Sequence, residues 1–172
     1  MSGARPGADR EQTAPTTTTL LVVRHAHAGD RETWEGPDER RPLTKKGRRQ
    51  SAGLVELLAG FEVDRILSSW YVRCLETVVP LAGDERQSIE VHPALAEGSS
   101  VSDVGALAAE VAGTTVVLCT HGDVVWNLVV GLAHHPADGD GPPMSKGSTW
   151  VLEGRDGRLS AARYLPPPAA PS

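Results

Sequence analysis

Thr114-Thr115-Val116-Val117-Leu118-Cys119-Thr120-His121-Gly122, residues 114–122, is the most telling stretch of this chain. Its apolar run from Thr114 to Cys119 shows no alternation, which is the pattern of a short strand covered on both faces. A helix is expected next, because Val125, Leu128, Val129 and Leu132 fall at helical spacing. Upstream, Ser102 reads as the cap of a helix carrying Val104, Leu107, Ala108 and Val111, closed by Gly113. Helix, buried strand, helix is the grammar of an α/β sheet.

The same grammar continues outward. Thr19–Val23 and Val63–Leu67 are short unalternating strands, and Ser88–Val91 is a weaker one. Thr44 can cap a helix with Ser51, Leu54, Val55 and Leu58 on one face, ending at Gly60. Trp70–Leu81 reads as a helix presenting Tyr71, Leu75 and Val78. Ser148–Leu152, an Asp156-Gly157 turn and Arg158–Tyr164 form a hairpin. The expected fold is therefore a three-layer α/β/α sandwich with a mostly parallel central sheet and an antiparallel C-terminal edge. Residues 1–16 are expected to be disordered, 17–164 to form the domain, and the proline-rich 165–172 to be an extended, disordered tail. The polar stretch from Arg24 to Pro42 is a long loop of the kind that usually carries function.

Composition narrows the function. The chain has 172 residues and a formal charge of -5, which argues against a basic binder of nucleic-acid polymers. Aromatics are only 4%, so the core must be built from Val, Leu and Ala. Cys74 and Cys119 sit in apolar segments and give no disulfide framework. The first residues lack a signal-peptide pattern, and no run approaches a membrane span. The expectation is a soluble cytoplasmic domain with no membrane partner.

In open α/β sheets, ligands bind beyond the carboxyl ends of the strands. Three predicted strands end in chemistry: Arg24-His25, Ser68-Ser69 leading to Arg73, and Thr120-His121-Gly122. If these strands are neighbours, two histidines and two arginines converge in a cationic pocket. Such a pocket suits a phosphoryl group, because guanidinium forks match its oxygens and stay charged. The helix beginning near Gly122 would add its N-terminal dipole. A neutral His can attack phosphorus, and a second, protonated His can neutralise charge in the transition state.

These residues resemble a known family. Leu21-Val22-Val23-Arg24-His25-Ala26 resembles the Arg-His-Gly signature of the histidine phosphatase superfamily, which includes phosphoglycerate mutases. Arg41-Pro42-Leu43-Thr44-Lys45-Lys46-Gly47 is similar to its R-P-L-T-x-x-G segment, and Ser68 to Thr77 to its S-S-x-x-x-R-x-x-x-T segment. Thr120-His121-Gly122 looks like its second histidine block. The small size resembles SixA-type phosphohistidine phosphatases. Lys146 to Leu152 resembles the phosphatase domain that some proteins carry behind a Nudix hydrolase domain.

The resemblance implies roles residue by residue. His25 would be the nucleophile that forms a phosphohistidine. Arg24 and Arg73 would clamp the phosphoryl oxygens, with His121 and Gly122 completing the pocket and Arg41 either joining it or pairing with Glu39. Water would then hydrolyse the intermediate, with no metal or cofactor. The proton donor is left open between Glu97, in Leu95-Ala96-Glu97, and Asp30. The expected partner is a phosphorylated substrate, either a protein phosphohistidine or a small phosphate ester or nucleotide. Two departures stand out: Ala26 replaces the usual Gly, and Trp70 the common Pro.

Bland readings compete with each of these. His25 or His121 alone could be a core histidine satisfying a carbonyl. His134 and His135 read as solvated, and Lys45, Lys46, Arg48 and Arg49 as a wet helix face able to steer an anion. The His25-Ala26-His27 pattern also occurs in metal hydrolases, although that barrel needs about 250 residues. A phosphate-binding module that turns over weakly is the remaining alternative.

Overall fold

The computed structural model describes residues 17–83 and 87–169. The expectation for residues 1–16 lies outside the described residues. One six-stranded sheet runs through the molecule in the order β3-β2-β4-β1-β5-β6. Its strands are β1 (Thr17–Arg24), β2 (Arg65–Ser68), β3 (Ile89–Val91), β4 (Thr115–Thr120), β5 (Thr149–Arg155) and β6 (Arg158–Leu165). β1 to β4 are mutually parallel through the β1–β4, β4–β2 and β2–β3 pairings. β5 lies antiparallel on β1 and β6 antiparallel on β5, so the C-terminal hairpin forms the antiparallel edge.

Helices cover both faces, which explains why the central strands read as unbroken apolar runs. On one face α1 (Lys45–Leu57) and α2 (Val72–Ala82) pack Leu54, Leu58, Cys74 and Val78 against Leu21, Val23, Ile66 and Val117. On the other, α3 (Val101–Glu110) and α4 (Gly122–Trp126) bring Val104, Leu107, Val124 and Val125 onto Leu20, Val22, Val116 and Leu118. Among the described residues no helix is long and apolar enough to cross a membrane.

Several local details differ from the sequence reading. Ser100, not Ser102, caps α3: its hydroxyl accepts from Asp103 N while the Asp103 carboxylate accepts from Ser100 N. This reciprocal box satisfies two otherwise free donors, which Ser102 two residues further in could not do. Val55 is 46% exposed, because α1 turns Gly47, Gln50, Ser51 and Leu54 inward instead. Leu75 and Tyr71 are half-buried, and α2 commits Arg73, Cys74, Thr77 and Val78 to the interior. The last helix is α-helical for only five residues and then widens into a π turn over Asn127–Leu132. The final strand runs on to Leu165, and Pro168 lies against Gly53 of α1.

Thr44-Lys45-Lys46-Gly47 has a structural logic of its own. Thr44 caps α1 through Gly47 N, and its backbone N donates to His27 O at 3.0 Å. A Cβ on Gly47 would collide with that same carbonyl. Gly47→Ala should therefore destabilise the fold by about 2 kcal/mol, despite the ~1 kcal/mol that Ala ordinarily contributes inside a helix. A denaturant midpoint at or above that of the wild type would contradict this packing.

Candidate active site

The parallel pairing delivers the three reactive strand ends to one edge. Arg24 is in register with Thr120, and Ser68 with Cys119, so β4 stands between β1 and β2. His25 N donates to Thr120 O at 2.9 Å, and Ser69 N to Cys119 O at 3.0 Å, which continues the ladder past the strand ends. A cleft of about 620 Å³ opens there, lined by Arg24, His25, Arg73, His121 and Gly122 together with Arg41, Asp30 and Glu97.

The His25 and His121 rings face each other at 5.5 Å between centroids and 64° between planes. His25 Nδ1 lies 2.9 Å from Ala26 O. A carbonyl only accepts, so this contact assigns the ring proton to Nδ1 and leaves the lone pair on Nε2. Burial, joined by the positive charges of His121, Arg73 and Arg24, pushes the His25 imidazolium down to about 3, although the Ala26 carbonyl opposes the shift. At neutral pH His25 is therefore an uncharged base among fixed cations.

His121 turns Nε2 toward Ser69 Oγ at 2.9 Å and the Cys74 thiol at 3.6 Å. Arg24 donates through NH1 to Met144 O at 2.7 Å. Its guanidinium passes so close to Gly122 that a Cβ there would sit 3.0 Å from Cζ and crowd the group. Arg73 is 1% exposed and held from behind, with NH1 to Asp38 O at 2.8 Å and NH2 to Asp38 Oδ2 at 3.0 Å.

Asp38 also accepts from Arg41 Nε at 3.0 Å. Burial alone would raise its carboxyl, but the hydrogen bonds and charges of Arg41 and Arg73 outweigh that and hold it below its ordinary value. Arg41 thus lines the cleft but pairs with Asp38 and not Glu39, and it spends NH1 on Ala28 O and Gly29 O. Glu97 reaches the cleft with Oε1 2.8 Å from Arg31 and Oε2 3.7 Å from Arg73. The Asp30 carboxylate caps a short 3-10 turn by accepting from Glu32 N.

Four buried side-chain polar atoms lack a partner among the described residues, and three belong to this cleft: Arg24 Nε, Arg73 Nε and His121 Nδ1. Buried polar groups are nearly always satisfied, so three orphans converging in one cleft mark a place built for an anion.

Residues 20–105 match the sequence profile of the histidine phosphatase superfamily, branch 1. The chain belongs to that superfamily. It is 39% identical over 158 residues to an 8-oxo-(d)GTP phosphatase from Mycolicibacterium smegmatis (strain ATCC 700084 / mc(2)155), covering 88% of this chain and 49% of that protein. This chain thus spans about half the length of that curated relative. The fold is that of the protein histidine phosphatase SixA, solved with tungstate (TM-score 0.69, 23% identity, 86% of this chain and 96% of that one). It is shared with a phosphoserine phosphatase from Entamoeba histolytica solved with 3-phosphoglyceric acid (TM-score 0.68, 17% identity, 86% and 96%).

The two departures from the superfamily pattern have plain structural surroundings. The Ala26 side chain packs with Ala28 and Leu43 in a small apolar cluster, while its backbone N is tied to Thr77 Oγ1 at 3.0 Å. Trp70 stands 48% exposed with its ring edge-on to Tyr71. His27 turns Nδ1 to Thr44 Oγ1 at 2.7 Å. His135 is half-buried against Trp150. Asp38 supports the cleft and Lys146 lines it, and neither carries a sequence signal of its own; nothing in the chain distinguishes Asp38 from Asp30, Glu35 or Glu39 in the same polar loop.

Proposed function

We propose that this domain is a metal-independent phosphatase that passes a phosphoryl group through a covalent adduct on His25. The observation that carries the reading is the trio of unpartnered polar atoms, Arg24 Nε, Arg73 Nε and His121 Nδ1, set around an imidazole kept neutral. Arg24 and Arg73 bind the non-bridging oxygens as charge-assisted forks. His121 completes the pocket beside the His25 ring, and Gly122 lies where the Arg24 guanidinium passes. Arg41 acts from behind by fixing Asp38, which in turn fixes Arg73.

The His25 Nε2 lone pair attacks phosphorus as the bond to the leaving group breaks. Water then cleaves the nitrogen–phosphorus bond and releases phosphate. For esters with basic leaving groups, Glu97 is the better placed acid, because it borders Arg73 while Asp30 is occupied as a cap. The substrate is a phosphoryl group on a protein histidine, as the SixA-like fold suggests, or on a nucleotide or other small ester, as the name of the M. smegmatis relative suggests.

Phosphate release from p-nitrophenyl phosphate, followed with and without a strong chelator, tests the reaction class. Equal turnover in both is expected; activity lost on chelation and restored by a divalent cation would overturn it.

A further inference from the structure

The cleft is electrically lopsided. On one side every cation is matched: Arg31 pairs with Glu97 at 2.8 Å and lies 3.4 Å from Asp38, while Arg41 and Arg73 share Asp38 at 3.0 Å each. On the other side stands Lys146, with no carboxylate within ion-pair distance of its ammonium among the described residues. Its main chain is pinned. Gln50 Nε2 donates to Lys146 O at 3.3 Å, and Gly147 N donates to both Arg24 O and His25 O at 3.1 Å. The backbone of this lysine is thus tied to the backbone of the proposed nucleophile while its head group is free.

Lys46 belongs to the same side. His27 on the cleft wall is pushed below the ordinary histidine value, first by burial and then by the charges of Lys146, Lys46 and Arg41. Lys146 itself is lowered by burial and by Arg24, Arg41 and Arg73, with Asp30 opposing. Cations brought together against their own repulsion are the mark of a site meant for a negative charge.

The acid on the matched side is encumbered. Both Glu97 oxygens face guanidinium groups, at 2.8 and 3.7 Å, so the side chain is held in ion pairs on that side of the cleft. A cleft whose carboxylates are held in ion pairs and whose lysine is free suits a leaving group that departs as an anion and needs its charge matched.

We infer that the preferred substrate is a phosphoanhydride, in which the terminal phosphoryl group goes to His25 and the adjoining phosphate lies against Lys146. This rests on the phosphatase reading and narrows it. As the His25 Nε2–P bond forms, the bond from phosphorus to the bridging oxygen breaks, and the electron pair stays on that oxygen. The leaving group is then a phosphate anion beside Lys146, with no proton required, and water discharges the phosphohistidine to inorganic phosphate.

The experiment compares ADP, AMP and p-nitrophenyl phosphate as probes with the wild type, Lys146→Gln and Lys146→Arg. The wild type should favour ADP over AMP by about 100-fold in kcat/KM. Lys146→Gln should lower kcat/KM for ADP by about 30-fold but for p-nitrophenyl phosphate by only about 3-fold, and Lys146→Arg should recover most of the loss. Equal losses on both probes with an unchanged melting temperature, or AMP turned over as fast as ADP, would overturn the inference while leaving the phosphatase reading in place. A wild type inactive on all three probes would instead remove the reading beneath it.

Discussion

His25→Asn should reduce phosphate release by a factor on the order of 10⁴ or more, because it removes the group that takes the phosphoryl. The same substitution has a second, independent signature. The His25 imidazolium is pushed down to about 3 in the folded protein, chiefly by burial, against 6.5 for an ordinary histidine. Between those values the unfolded chain holds a proton that the folded chain refuses, so this group lowers stability as pH falls from 6.5 toward 3 and adds no further loss below. Between pH 7.5 and 5 the loss amounts to about 2 kcal/mol. His25→Asn removes that loss, so its stability should fall less steeply over this interval. Denaturant titrations at the two pH values measure it; parallel slopes for wild type and variant would show that His25 titrates normally.

Arg73→Lys should lower kcat/KM by about 10²–10³, with kcat falling in step, because the lost interaction is strongest when charge builds on the transferring oxygens. The side chain does two tasks at once. NH1 and NH2 face backward to Asp38, and Nε is left without a partner in the cleft. A lysine has one point of charge and cannot span both. If instead only KM rises, Arg73 holds substrate and transition state equally, and its place in catalysis is lost.

Much of this architecture is legible in the chain. The unbroken apolar strands announce a sheet covered on both faces, and the Asp156-Gly157 turn announces the antiparallel edge. Reactive residues placed just past strand ends converge because parallel strands share one carboxyl edge. The supporting shell is where the reading fails. Asp38 lies in a loop with four other acidic residues, and only the fold shows that it is the one behind Arg73 and Arg41. Ser100 outcompetes Ser102 because Asp103 three residues on makes its cap reciprocal, a spacing present in the chain that the helical period alone passes over. Lys146 follows a polar stretch with no period, and its place beside His25 comes from β5 pairing with β1 across more than a hundred residues.

The most direct measurement is a rapid quench into alkali after mixing the protein with a substrate labelled at the transferred phosphoryl group. Phosphohistidine survives alkali and is lost in acid. A label on His25 that forms and decays within one turnover, and that is missing from His25→Asn, is the predicted result. Phosphate released in a single turnover with no label on the protein, or with a label on another residue, would contradict a phosphoryl group passing through His25.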